Sequence, residues 1–193
     1  VRAQGKRRAG WLGDGVTASW NTVTSAWGTV DLLASVDVVH VDFGTGTALG
    51  AGCAIAANGS LYCWGQCVGD GTWYQCSGGL GGTPCSASSN AAWSPVATLL
   101  PSGRSAVDVS AEVISCAVLD DGSVYCWGYD VIVGDGTAKQ TQVVVPQQAS
   151  LPAGRKAVRV ASNRNNRYVL LDDGSVYAWG YNSYGLGSNG TAG

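Results

Sequence analysis

The chain of 193 residues contains no methionine, a single phenylalanine and a single histidine, and only 12% of it is charged. Glu, Lys and Met are scarce while Val, Thr, Tyr and Trp are plentiful, a balance that favours strands and tight turns over helices. One histidine limits nucleophilic catalysis, since a Ser-His-Asp or Cys-His arrangement would have to use His40. That residue sits in the alternating stretch Val38-Val39-His40-Val41, where a structural role is expected. No Walker or dinucleotide-type glycine loop is present, so no cofactor is expected. No apolar run approaches the roughly 18 residues of a membrane helix, and no membrane insertion is expected. Phosphate binding needs a basic face, and a net charge of −2 argues against one, so nucleic acid is not an expected partner. The one basic cluster, Lys6-Arg7-Arg8, reads as a solvated segment. Neither an initiator methionine nor a signal segment is present, and the chain is expected to be part of something longer.

What the chain does have is repetition. Cys53–Gly65 (CAIAANGSLYCWG), Cys116–Gly128 (CAVLDDGSVYCWG) and Tyr168–Gly180 (YVLLDDGSVYAWG) align without a gap. Their Trp-Gly pairs begin at Trp64, Trp127 and Trp179, 63 and 52 residues apart. A marker follows each: Gly69-Asp70-Gly71-Thr72, Gly134-Asp135-Gly136-Thr137 and the degraded Gly187-Ser188-Asn189-Gly190-Thr191. An orphan copy, Gly13-Asp14-Gly15, lies near the start. A third marker precedes each hairpin: Val39-His40-Val41-Asp42, Ala106-Val107-Asp108-Val109 and Ala157-Val158-Arg159-Val160. Each core segment reads as two strands around a three-residue loop, Ala57-Asn58-Gly59, Asp120-Asp121-Gly122 or Asp172-Asp173-Gly174. A type I turn followed by glycine in the left-handed region accounts for Gly in third place and Asn or Asp before it. The paired acids therefore make turns rather than acid–base chemistry. The Gly-Asp-Gly markers offer one carboxylate each, too few for calcium.

Register follows from the loop. With Ser60 opposite Ala56, Cys63 falls opposite Cys53, and Cys116 and Cys126 are likewise centred on Asp121. Both pairs are expected to be disulfides. In the third copy both positions are lost together, to Tyr168 and Ala178, as a bonded pair predicts. Of Cys67, Cys76 and Cys85, two are expected to staple a glycine-rich insertion at about residues 66–93, with the pairing open and the odd cysteine available to another chain. Zinc is the rival for these three, but a fourth ligand and any CxxC spacing are missing. Disulfides imply an extracellular or cell-surface address. The sequons at Asn58 and Asn189 suit that address as glycosylation sites.

The pattern V-x-V…C-A-x-L-x-D-G-S-V-Y-C-W-G…G-D-G-T resembles the regulator of chromosome condensation repeat family. That resemblance implies an all-β protein made of β-propeller blades of four antiparallel strands, about three blades and a remnant, with the ring incomplete in this chain. The expected divisions are a tail of a preceding repeat (1–19), a first repeat carrying the insertion (20–101), a second (102–153) and a truncated third (154–193). Within the family, the cysteine-bearing hairpins are most similar to repeats of algal and bacterial surface or appendage proteins. A non-enzymatic structural or assembly module of a surface, wall or mastigoneme-like filament is therefore expected. The alternative is a soluble propeller that binds a specific protein as inhibitor or recognition module. Expected partners are other chains or copies of itself that complete the propeller or filament, and glycans. Trp73, Tyr74 and Trp93 flank the insertion and are the candidates for contact with a partner or glycan.

Overall fold

The computed structural model describes residues 2–7, 22–30, 35–44, 51–65, 92–131, 134, 141–163 and 165–181. Regular structure among them is strand, in two four-stranded sheets, one three-stranded sheet and one two-stranded sheet. The first four-stranded sheet runs β3 (Val38–Phe43), β4 (Ala51–Ala56), β5 (Leu61–Gly65) and β6 (Ala92–Ala97). The second runs β7 (Ala106–Ser110), β8 (Ile114–Leu119), β9 (Val124–Val131) and β10 (Thr141–Gln148), and the third β11 (Ala157–Ser162), β12 (Asn166–Leu171) and β13 (Val176–Gly180). Every pairing is antiparallel between chain neighbours. This is the all-β, blade-like architecture expected.

The hairpin loops close as their residues dictate. Ala56, Leu119 and Leu171 each donate their N–H to the carbonyl of Ser60, Ser123 and Ser175. Gly59, Gly122 and Gly174 stand at φ of 81°, 84° and 84°, a region that other L-residues enter at a cost of about 1–2 kcal/mol. Asn58, Asp121 and Asp173 brace the turn through Oδ1, which accepts the N–H of the serine two residues on, each at 3.0 Å.

The smaller sheet pairs β1 (Arg2–Arg7) with β2 (Thr22–Thr29). The two strands bracket Gly13-Asp14-Gly15, as β9 and β10 bracket Gly134-Asp135-Gly136-Thr137. Residues 22–29 thus pair with the segment before them, not with the sheet of the first repeat.

Each first strand carries a β-bulge at one and the same place, seen as a register shift between Val38 and His40, Ala106 and Asp108, and Ala157 and Arg159. The extra residue, Val39, Val107 or Val158, is left exposed. Beyond the bulge, Val41, Val109 and Val160 take equivalent positions, opposite Ala54, Ala117 and Val169. The first pre-hairpin marker therefore aligns with the other two from Val39 onward, at Val107 and Val158.

Sheets stack in chain order, with β7 lying against β3 and β4, and β11 against β7 and β8. A continuous apolar core runs through these junctions and includes Cys53, Ile55, Leu61, Cys63, Ala106, Val109, Cys116, Val118, Val124, Cys126, Ala157 and Val160.

Candidate functional site: the open face of the third sheet

Alternation along paired strands places Cys53, Ile55, Leu61 and Cys63 on one face of the first sheet. Cys116, Val118, Val124 and Cys126 hold the same places in the second, and Tyr168, Leu170, Val176 and Ala178 in the third. All eight residues of the first two sets are at most 2% exposed, because the next sheet lies over them. In the third sheet Leu170 is 37% exposed and Val176 63%. One apolar face of the same design is thus covered twice and open once.

The two internal junctions show what such a face receives. At the tip of the first hairpin, the carbonyl of Gly59 accepts the N–H of Ala106 at 2.9 Å, and Gly122 does the same for Ala157 at 2.8 Å. A side chain at Gly59 would strike Ser105 and one at Gly122 would strike Lys156, whereas no described residue lies near Gly174. Along the inner strands, Asp42 Oδ2 accepts the Ala111 N–H at 2.7 Å, and Ser110 Oγ accepts that of Ser162 at 3.0 Å. The corresponding residue of the third sheet is Ala161, which has no side-chain acceptor. Asp108 is buried and accepts the Val160 N–H at 2.8 Å. It lies 3.4 Å from Arg159 Nη1 and 3.9 Å from His40 Nε2, both at the same row of their own sheets. His40 therefore belongs to a row of polar side chains across sheets.

Cys53 lies opposite Cys63 and Cys116 opposite Cys126, each pair disulfide-bonded with Cα atoms 4.1 Å apart. Both pairs fall at non-hydrogen-bonded positions of their hairpins, where opposing side chains approach most closely. Tyr168 faces Ala178 at the third such place. Asn58 is exposed at its hairpin tip. Cys67, Cys76, Cys85, Trp73, Tyr74 and Asn189 lie outside the described residues, and Trp93 lies within β6 with its side chain undescribed. Among the described residues no three His, Cys, Asp or Glu side chains gather as metal ligands would.

The acidic pairs do turn and rim work. Hydrogen bonds from the Ser123 hydroxyl and N–H hold the Asp121 carboxyl below the usual aspartate range, and Ser175 does the same for Asp173. Arg104 lies 3.4 Å from Asp121, and Arg155 lies 3.3 Å from Asp173. Sequence reasoning missed one residue. Arg167 stands directly opposite Trp179, where the other sheets place Gly52 and Ser115 opposite Trp64 and Trp127. It is completely buried, and its Nε and Nη2 have no hydrogen-bond partner among the described residues. An arginine out of pattern in an otherwise neutral column was the available signal.

Residues 157–186 match the profile of the regulator of chromosome condensation (RCC1) repeat family. The chain is 34% identical over 71 residues to the X-linked retinitis pigmentosa GTPase regulator homolog of Caenorhabditis elegans, and 35% over 77 residues to the human E3 ubiquitin-protein ligase HERC2. Those stretches are 37% and 40% of this chain but only 5% and 2% of the relatives. Among solved structures, human WBSCR16 superposes with a TM-score of 0.71 at 19% identity, over 97% of this chain and 44% of that one. Prp20p of Saccharomyces cerevisiae superposes at 0.66 with 19% identity, over 93% and 41%. The described residues thus have the fold of consecutive β-propeller blades, and residues 157–186 resemble a regulator of chromosome condensation repeat.

Proposed function

We propose that this chain is a non-enzymatic repeat module that seats another protein chain on the open face of its third sheet, in a structural or assembly role outside the cell. The observation that carries the reading is the exposure of Leu170 and Val176 at positions buried in the two sheets before. Exposed apolar surface of this kind, rimmed by polar residues, marks contact surfaces. Two disulfides support an oxidising environment and thus a wall, surface or filamentous appendage. Glycans on Asn58 and Asn189, and contacts from Trp73, Tyr74 and Trp93, belong to the same reading.

The second reading is a soluble propeller that recognises one specific protein. It draws on relatives of this fold whose structures concern protein partners, yeast RCC1 bound to Kap60 and Prp20p studied with Gsp1p and histones. The test is the native size of the protein from its source, for wild type and Val176→Asp. Large surface-associated material that the variant fails to join supports assembly. A compact wild type that forms a stoichiometric complex with one soluble protein replaces assembly with recognition. A chain recovered inside the cell with all cysteines reduced overturns the extracellular role.

A further inference from the structure

We infer that each disulfide is locked by the sheet that follows it, so that reduction of Cys116–Cys126 requires undocking of the third sheet and reduction of Cys53–Cys63 requires undocking of the second. All four cysteines are 0% exposed. Each pair joins the two central strands of its own sheet, on the face against which the next sheet packs. β7 crosses β4, which carries Cys53, and β11 crosses β8, which carries Cys116. Ala106 and Val109 of the second sheet, and Ala157 and Val160 of the third, join the core that contains the sulfurs. On the open face of the third sheet the cysteine positions are Tyr168 and Ala178. Among the described residues, crosslinks thus occur where a following sheet covers that face and not on the third sheet, where the face is partly exposed.

The chemistry explains why shelter matters. A thiolate must reach one sulfur along the S–S axis; the S–S bond breaks, a mixed disulfide forms and the other cysteine leaves as thiolate. With a dithiol reductant, its second thiol closes on the mixed disulfide. Two electrons pass to the protein, which ends with two thiols while the reductant ends as a cyclic disulfide. None of this can begin while a packed sheet covers both sulfurs. The junctions are held separately, by Gly59 carbonyl to Ala106 N–H and Asp42 to Ala111 N–H on one side, and by Gly122 carbonyl to Ala157 N–H and Asp108 to Val160 N–H on the other. Loosening one junction should therefore release one crosslink.

The experiment exposes the native chain to dithiothreitol without denaturant, quenches with iodoacetamide at intervals, and follows alkylation of each cysteine by peptide mass. Val160→Ala is expected to speed opening of Cys116–Cys126 about tenfold or more and to leave Cys53–Cys63 within twofold of wild type. Val109→Ala should reverse that pattern. Asp108→Asn, which weakens the Val160 N–H bond without opening a hole in the core, should act more mildly and chiefly on Cys116–Cys126, since its 3.9 Å approach to His40 of the first sheet is the longer of its contacts. Two outcomes overturn the inference: wild-type disulfides reduced as fast as a small exposed disulfide, or variants that accelerate both crosslinks equally.

Discussion

Replacing Arg167 with methionine is expected to stabilise the protein, although the guanidinium it removes is completely buried. Among the described residues the side chain makes one hydrogen bond, from Nη1 to the carbonyl of Asn165 at 2.9 Å, while Nε and Nη2 find no partner there. Burial pulls its pKa down to about 10, with the Tyr181 hydroxyl opposing weakly. At 1.36 kcal/mol per pH unit, that depression corresponds to a penalty of about 3 kcal/mol on the charged form. Methionine has similar length and no charge, and replacing poorly compensated buried ions with apolar residues commonly gains about 1–4 kcal/mol. The column itself tolerates neutrality, since Gly52 and Ser115 stand there in the other sheets. A gain of about 2 kcal/mol should raise Tm by roughly 4–8 °C in a chain of this size. Urea titration followed by tryptophan fluorescence, checked by calorimetry, would measure it. The pH dependence adds a second check. The folded-state value lies below the unfolded one, so the penalty is fully present below about pH 10 and fades as pH rises toward the ordinary arginine range. The advantage of Arg167→Met should therefore be flat from pH 6 to 9. A variant less stable than wild type by 1 kcal/mol or more would refute the reasoning, because it would mean that the guanidinium is compensated.

Three further outcomes test the architecture. Gly122→Ala and Gly174→Ala both force alanine into the left-handed region, at about 1–2 kcal/mol each; Gly122→Ala should cost clearly more by urea midpoint, because only there does the added carbon meet the next sheet, at Lys156. Cys53→Ala/Cys63→Ala should lose about 3 kcal/mol by the loop-entropy relation for a separation of 10 residues, while circular dichroism stays that of wild type, since the third hairpin pairs without a crosslink. Asp121→Ala should weaken the second hairpin above the ordinary aspartate range and match wild type in acid. The Ser123 hydrogen bonds depress the folded carboxyl, so its contribution is present above the unfolded value near 3.8 and lost as pH falls below it; amide exchange at Ser123 reads this out.

The sequence makes the hairpins legible because their causes are local. A three-residue loop ending in glycine sets which residues face each other, and strand alternation then carries the register outward to Cys53 and Cys63 ten residues apart. The role of Asp121 and Asp173 as turn residues was readable for the same reason. The bulges at Val39, Val107 and Val158 were not, since the unbroken V-x-V spelling conceals an extra residue that only the partner strand reveals. Nor was the pairing of β2 with β1, which depends on strands separated by a long connection.

The sequence by itself determined the repeat, the turn and the opposition of the cysteines, because each follows from backbone geometry within about a dozen residues. Only the tertiary structure decided which face of each sheet is covered. Ile55 and Leu61, Val118 and Val124, and Leu170 and Val176 are chemically alike and occupy one design. Burial is not a property of a strand but of what lies over it, here a sheet that begins some fifty residues further along. The same neighbour relation separates the sheltered disulfides from the half-buried Tyr168 and Ala178 and the exposed Leu170 and Val176.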